Sequence, residues 1–189
     1  MTKAQNRGRL TLLAIAALFT LPIIAATYFY FTDNGWRPGD NIQHGDLITP
    51  PLSLPDTALT QTEPAARLRE VWTLIVPVGS TCDAACLDAL DKAKQVRRWL
   101  GPKMHRLQTV AIPATRDALP TAMLADHPQL IVAEPQLSDG IRLSIGSYNN
   151  GQIFLVDPFG NMMMSYQPDT DMGDIRKDLG HLLRISTIG

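Results

Sequence analysis

A charge-free segment near the N-terminus limits how this chain can fold more than any other feature. From Leu10 to Phe31 no residue is charged, and Lys3, Arg7 and Arg9 precede the segment. About 20 apolar residues let an α-helix cross the hydrocarbon core of a bilayer, where every backbone polar group must be hydrogen-bonded internally. We therefore predict a transmembrane helix over residues 10–31 rather than a cleaved signal peptide, whose apolar part is shorter.

The charges beside this segment predict its orientation. Basic residues flank it closely only within residues 1–9, and Asp33 follows it on the other side. By the positive-inside rule, residues 1–9 are cytoplasmic and the chain beyond the helix lies outside the cytoplasm. In a bacterium this predicts an inner-membrane protein with a periplasmic C-terminal part, where thiols are oxidised unless another protein reduces them.

The rest of the chain divides into a linker and one domain. Residues 32–67 are rich in Pro and Gly without sustained periodicity, which is typical of a semi-extended linker. Within it, Ile48, Leu52 and Leu54 are spaced as an added strand would require. Residues 68–189 have the length of one domain. The net charge of −1, without a polybasic region, gives no indication of nucleic-acid binding.

The stretch from Trp72 to Cys86 is where we expect the chemistry. Trp72–Val78 is a short apolar run that predicts a strand buried on both faces, and Gly79, Ser80 and Thr81 then predict a turn. An amphipathic helix follows, with Ser80 as the predicted N-cap and Asp83 as its partner. The two cysteines of the chain, Cys82 and Cys86, are thus expected at the start of this helix on one face.

Three interpretations of the cysteine pair are open. Because the helix N-terminus stabilises a thiolate, Cys82 and Cys86 are candidates for a redox-active dithiol. Two thiolates one helical turn apart are also suited to bind a soft ion such as Cu(I). The third interpretation is structural, a permanent disulfide or two buried apolar side chains.

The remaining patterns predict an α/β fold. Leu107–Ile112 is expected to form a second buried strand, Thr115–Asp126 a short helix interrupted by Pro120, and Leu130–Ala133 a short strand ended by Glu134 and Pro135. Gln152–Val156 and Asn161–Tyr166 predict a β-hairpin, and Thr170–Ile185 predicts a terminal helix. This order of strands and helices is that of a thioredoxin-like domain.

With these elements in place, the chain resembles the Sco/SenC family. Its members are membrane-anchored thioredoxin-like proteins that handle copper during assembly of the Cu(A) centre of cytochrome c oxidase. The resemblance covers the anchor, Gly45–Pro51, the C-x-x-x-C of Cys82 and Cys86, and Phe154–Gly160. It implies thiol–disulfide oxidoreductase activity or Cu(I) binding at Cys82 and Cys86. It also implies that the partner is an oxidase subunit or an oxidase assembly factor.

Two positions depart from the pattern of the family. Leu87 follows the second cysteine, where the family has Pro, and Asn149 stands where the family has a third copper ligand, a His. Asn is a poor Cu(I) ligand, so the resemblance favours the dithiol role over copper binding. His44, His105, His127 and His181 receive no metal assignment, because each stands where a solvated or capping histidine is ordinary. The Met162–Met164 run receives none either, because strand alternation predicts Met162 and Met164 on one face and Met163 on the other, as in a packed core.

Overall fold

The computed structural model describes residues 3–31, 43–54 and 68–188, which fall into two units, 1–41 and 42–189. The first unit contains helix α1, Lys3–Phe31. Within α1, Gly8–Phe29 is long and apolar enough to cross a membrane, in agreement with the predicted span. Pro22 lies inside this helix.

The second unit is a six-stranded mixed sheet with helices on both faces. Its strands lie in the order β1-β6-β5-β2-β3-β4, with β2, β3 and β4 parallel and the others antiparallel. The strands are β1 Asp46–Ser53, β2 Trp72–Val78, β3 Leu107–Pro113, β4 Leu130–Val132, β5 Ile153–Val156 and β6 Asn161–Tyr166. The helices are α2 Ala84–Trp99, α3 Thr121–Asp126, α4 Pro135–Ile145 and α5 Met172–Ile185, with 3₁₀ turns at Gly101–Arg106 and Arg116–Ala118.

Strand β2 is central, and its side chains divide the core into two layers. Leu74, Val76 and Val78 pack beneath α2 and α5, while Ile75 packs on the other face with α4. All seven residues of β2 are buried, as predicted for a strand covered on both faces. The fold is therefore the expected thioredoxin-like α/β sandwich, and the start of α2 lies at the end of this central strand.

Strand β1 lies within residues 32–67, the range that the sequence predicts as a linker with an added strand. Residues 46–53 pair antiparallel with β6, so that Leu47 lies opposite Met164 and Leu52 opposite Met162. The added strand suggested by Ile48, Leu52 and Leu54 is thus present. Residues 32–42 and 55–67 lie outside the described part of the chain.

Two further features differ from the sequence prediction. Helix α4 falls where only the end of a strand was expected, because Pro135 occupies the first turn of a helix, a position that tolerates its missing N–H. The prediction that Met162 and Met164 share a face is wrong. A bulge at Met163 shifts the register of β6, so Met164 packs beneath α2 and α5 while Met162 packs on the α4 side.

Candidate functional site

Asp83, and not Ser80, caps the helix that carries the site. Its Oδ1 accepts the backbone N–H of Cys86 at 3.1 Å, and helix α2 begins one residue later, at Ala84. The predicted cap was wrong because a capping side chain accepts the backbone N–H of a residue two or three positions further along the chain. The helix starts only at Ala84, so the N–H groups without an intrahelical partner are within reach of Asp83 and not of Ser80. Cys82 therefore lies in the turn before the helix and not on its face.

Cys82 and Cys86 form a disulfide, with their Cα atoms 5.2 Å apart. Cys86 lies in the core beneath α2 with 0% of its surface exposed. Cys82 is partly exposed, and its backbone N–H donates to the Ala118 carbonyl at 3.1 Å. Because Cys86 is fully buried and Cys82 is partly exposed, Cys82 is the side from which an external thiol can approach the disulfide.

The loop 148–151 packs directly against the start of α2. Gly151 has φ +81°, and a Cβ added to it would lie 2.8 Å from the Ala85 carbonyl oxygen. Next to it, the Asn150 Nδ2 donates to Asp83 Oδ2. Sequence reasoning identified a turn here, but it did not place the turn beside the cysteines, because the Asp83–Asn150 contact joins residues 67 apart in the chain.

Asn149, predicted from the sequence to stand at the third copper ligand of the Sco/SenC family, is hydrogen-bonded to Gln167. Its Nδ2 donates to Gln167 Oε1 at 2.9 Å, and Gln167 Nε2 donates to Asp46 Oδ2 at 3.0 Å. Among the described residues, no group of three or more His, Cys, Asp or Glu side chains is placed to hold a metal ion. The described residues thus place no third His, Cys, Asp or Glu ligand beside the two sulfurs.

A buried carboxylate on α5 forms a second polar centre that sequence reasoning missed. Asp178 is 5% exposed and accepts the backbone N–H groups of His44 and Gly45 at 2.9 and 3.0 Å. The His44 ring also lies against it, with Nδ1 3.0 Å from Asp178 Oδ1. Burial, followed by the Asp178 charge, raises the pKa of Tyr166 far above its ordinary value. This centre attaches the segment before β1 to α5.

The other histidines do not join the cysteines. His127 is buried with Nε2 3.5 Å from Asp91 Oδ1, His105 contacts the Pro102 carbonyl through Nδ1, and His181 Nδ1 lies 2.9 Å from Arg184. The described site therefore consists of one disulfide, a capping carboxylate and an amide-rich loop. A mixed sheet of this order with a cysteine pair at the start of its first domain helix defines the class of thioredoxin-like domains.

The chain belongs to the family described as "Transmembrane-like, thioredoxin-like, C-terminal domain", whose model matches residues 72–186. The companion model, "Transmembrane-like, N-terminal domain", matches residues 2–33. Together with the apolar length of α1, this match indicates a single-pass membrane anchor. No curated protein sequence matches the chain.

Solved structures of Sco proteins share this fold. Apo Sco1 from Thermus thermophilus is 18% identical with a TM-score of 0.57, covering 74% of this chain and 96% of its own. Copper-bound yeast Sco1 is 20% identical with a TM-score of 0.55, covering 79% and 97%. Copper-bound ScoI from Arabidopsis thaliana is 18% identical with a TM-score of 0.51, covering 75% and 99%. The expected thioredoxin-like, Sco-like architecture is thereby confirmed.

Proposed function

We propose that this protein is a membrane-anchored thiol–disulfide exchange protein that acts outside the cytoplasm during assembly of cytochrome c oxidase. Its reactive couple is Cys82 and Cys86, and its partner is an oxidase subunit or an assembly factor with copper-binding thiols. The observation that carries the proposal is the unequal exposure of the two bonded sulfurs at the start of α2.

The unequal exposure assigns a role to each cysteine. In the reduced protein the Cys82 thiolate attacks a disulfide of the partner, which releases one partner thiolate and forms a mixed disulfide. The Cys86 thiolate then attacks Cys82, which releases the second partner thiolate and restores the Cys82–Cys86 bond. Two electrons pass to the partner, and a dithiol donor outside the cytoplasm returns them.

The local structure supports this assignment of roles. Cys86 lies on the buried face of α2 and packs in the core, so a large partner has no direct path to it. The first turn of a helix favours negative charge, which stabilises a thiolate released there. The Cα atoms of Cys82 and Cys86 are 5.2 Å apart, so the Cys86 thiolate can reach Cys82 and resolve the mixed disulfide.

The oxidase context is supported by the shared Sco fold and by the anchor. The structure favours exchange over copper carriage, because Asn149 is bonded to Gln167 and no third ligand accompanies the sulfurs among the described residues. The alternative function is that of a non-catalytic scaffold, which the cysteine variants below distinguish from exchange.

The exchange proposal is tested by the reduction potential of the disulfide in the full chain. Equilibration with dithiothreitol buffers should give a value between about −270 and −120 mV, the range of exchange proteins. A value below about −300 mV, typical of structural disulfides, would exclude exchange with physiological dithiols.

The oxidase role is tested in cells that carry Cys82→Ser and Cys86→Ser together. If the proposal is correct, Cu(A)-dependent oxidase activity falls while the amount of the variant in the membrane is unchanged. Normal oxidase activity in that strain would leave only the scaffold role.

A further inference from the structure

Asp83 places a fixed negative charge at the disulfide. It lies between Cys82 and Cys86 in sequence and its side chain is exposed. Oδ1 accepts the Cys86 N–H at 3.1 Å and Oδ2 accepts from Asn150 Nδ2, so both oxygens are held. Both donors are neutral amides, which orient the carboxylate without cancelling its charge.

No described cation forms an ion pair with Asp83, whereas the next two carboxylates on α2 have basic neighbours. Asp88 lies 2.9 Å from Lys92 Nζ, and Asp91 lies 3.5 Å from His127 Nε2. On the other side of Cys82, the exposed residues Ser80 and Thr81 are uncharged. Asp83 is therefore an exposed carboxylate, directly next to Cys82 in the chain, that no described cation pairs with.

We propose that Asp83 is a specificity-determining residue that selects, among dithiol donors, those with positive charge beside their attacking cysteine. This inference rests on the proposed exchange function and names the chemistry of the donor that reduces the Cys82–Cys86 bond. An incoming thiolate that attacks Cys82 Sγ is itself negative, and it breaks the Cys82–Cys86 bond with Cys86 leaving as a thiolate. Asp83 repels that approach unless a cationic group of the partner offsets both charges.

The expected size of the effect follows from the separation of the charges. Unit charges about 6 Å apart at a solvent-exposed site change a rate by about three- to tenfold. The effect is screened by salt, since the Debye length is about 10 Å at 0.1 M and 3 Å at 1 M. A thiol with a Lys or Arg beside it should react faster by this factor, and a thiol with a carboxylate beside it should react more slowly by the same factor.

Small thiols of known charge test the inference on the full chain in neutral detergent. The oxidised protein is reduced with cysteamine, 2-mercaptoethanol or 2-mercaptoethanesulfonate at equal thiolate concentration and low ionic strength. The rate of appearance of free thiols is then measured. We expect cysteamine to react at least about fivefold faster than the sulfonate, with 2-mercaptoethanol between them.

Two variants assign the effect to Asp83. Asp83→Asn keeps the Oδ1 that accepts the Cys86 N–H, and a flip of the Asn150 amide turns its Oδ1 toward the new Nδ2 donor, so the cap is preserved. The variant should reduce the cysteamine-to-sulfonate ratio by at least about threefold. Asp139→Asn is the matched control, because it removes the same charge from exposed α4 on the opposite face of the sheet. It should leave the ratio unchanged.

The outcomes distinguish this inference from the proposed function. If none of the three thiols reduces the disulfide, exchange itself is overturned. If all three reduce it at equal normalised rates, or if Asp83→Asn retains the wild-type ratio, selection by Asp83 is overturned while exchange stands. A ratio that falls in Asp83→Asn and in 1 M salt, but not in Asp139→Asn, supports the inference.

Discussion

The Cα of Gly151 lies so close to Ala85 that a Cβ added to it would come within 2.8 Å of the Ala85 carbonyl oxygen. Its φ of +81° is also unfavourable for any other residue. The contact brings the loop before β5 against the first turn of α2, next to the disulfide. The loop and the cysteine helix therefore form one packed unit.

Gly151→Ala should lower the free energy of unfolding by about 2 kcal/mol or more, because backbone strain and a collision with backbone atoms add. Gly101→Ala is the matched control. Gly101 has φ +54° but nothing within 4 Å of the added Cβ, so its cost should be strain alone, about 1 kcal/mol. Urea denaturation of both variants measures the difference, and equal losses would show that the Ala85 contact relaxes.

Asp178→Asn should destabilise the domain by about 2 kcal/mol, because it replaces a buried carboxylate that accepts two backbone N–H groups. Asp174→Asn on the same helix serves as the control. Asp174 lies at the surface, where it contacts Lys177 Nζ at 2.8 Å and His44 Nε2 at 3.4 Å, so its loss should destabilise the domain clearly less than Asp178→Asn. Limited proteolysis should also show faster cleavage near Gly45 in Asp178→Asn only.

Stability should decrease above pH 10 because of Tyr166. Burial raises the pKa of Tyr166 in the folded protein, so its contribution is complete below the unfolded value of about 10 and is lost as the pH rises above it. The free energy of unfolding from pH 9 to 11 should decrease more steeply in the wild type than in Tyr166→Phe, by up to about 1.4 kcal/mol per pH unit. Identical slopes would contradict this prediction.

In the reduced protein, Cys82 should be alkylated by iodoacetamide about tenfold or more faster than Cys86, because Cys86 is enclosed in the core. Mass spectrometry of peptides after timed quenching gives both rates. The single variants extend the test. Cys86→Ser should accumulate a mixed disulfide with a thiol reagent, and Cys82→Ser should not. Equal rates would remove the assignment of Cys82 as the attacking thiol.

Asn149→His should increase the retention of Cu(I) by the reduced protein at least about tenfold, because imidazole is a far better ligand than an amide. Competition with a Cu(I) chelator measures retention in both proteins. Asn149→Ala is the control, since it breaks the same bond to Gln167 without adding a ligand. If His and Ala give the same retention, position 149 is not within reach of the sulfurs.

Most elements of the domain could be predicted because their signals are local. The apolar run of β2, the helical spacing of α5 and the turn after Val156 each lie within a few residues. Helix α4 was missed although its signal was equally local. Leu137 and Ile141 are four residues apart, but Pro135 was interpreted as the end of a strand and not as the first turn of a helix.

The other differences depend on long-range contacts that no local pattern encodes. β1 contains Pro50 and Pro51 and has the composition of a linker, yet it pairs with β6, more than a hundred residues away. The bulge at Met163 reverses the alternation of β6, which is visible only in the register against β5. At the site, the cysteines could be found from the sequence, whereas the contact of Asp83 with Asn150 could not.

The pairing of β1 with β6 has a practical consequence for anyone who expresses this domain. A fragment that starts at residue 68, after the apparent linker, would lack the outer strand and leave the backbone groups of β6 unpaired along the margin of the sheet. An exposed edge strand of this kind can pair with strands of other chains and so lead to aggregation. A soluble version should therefore retain His44, Gly45 and all of β1.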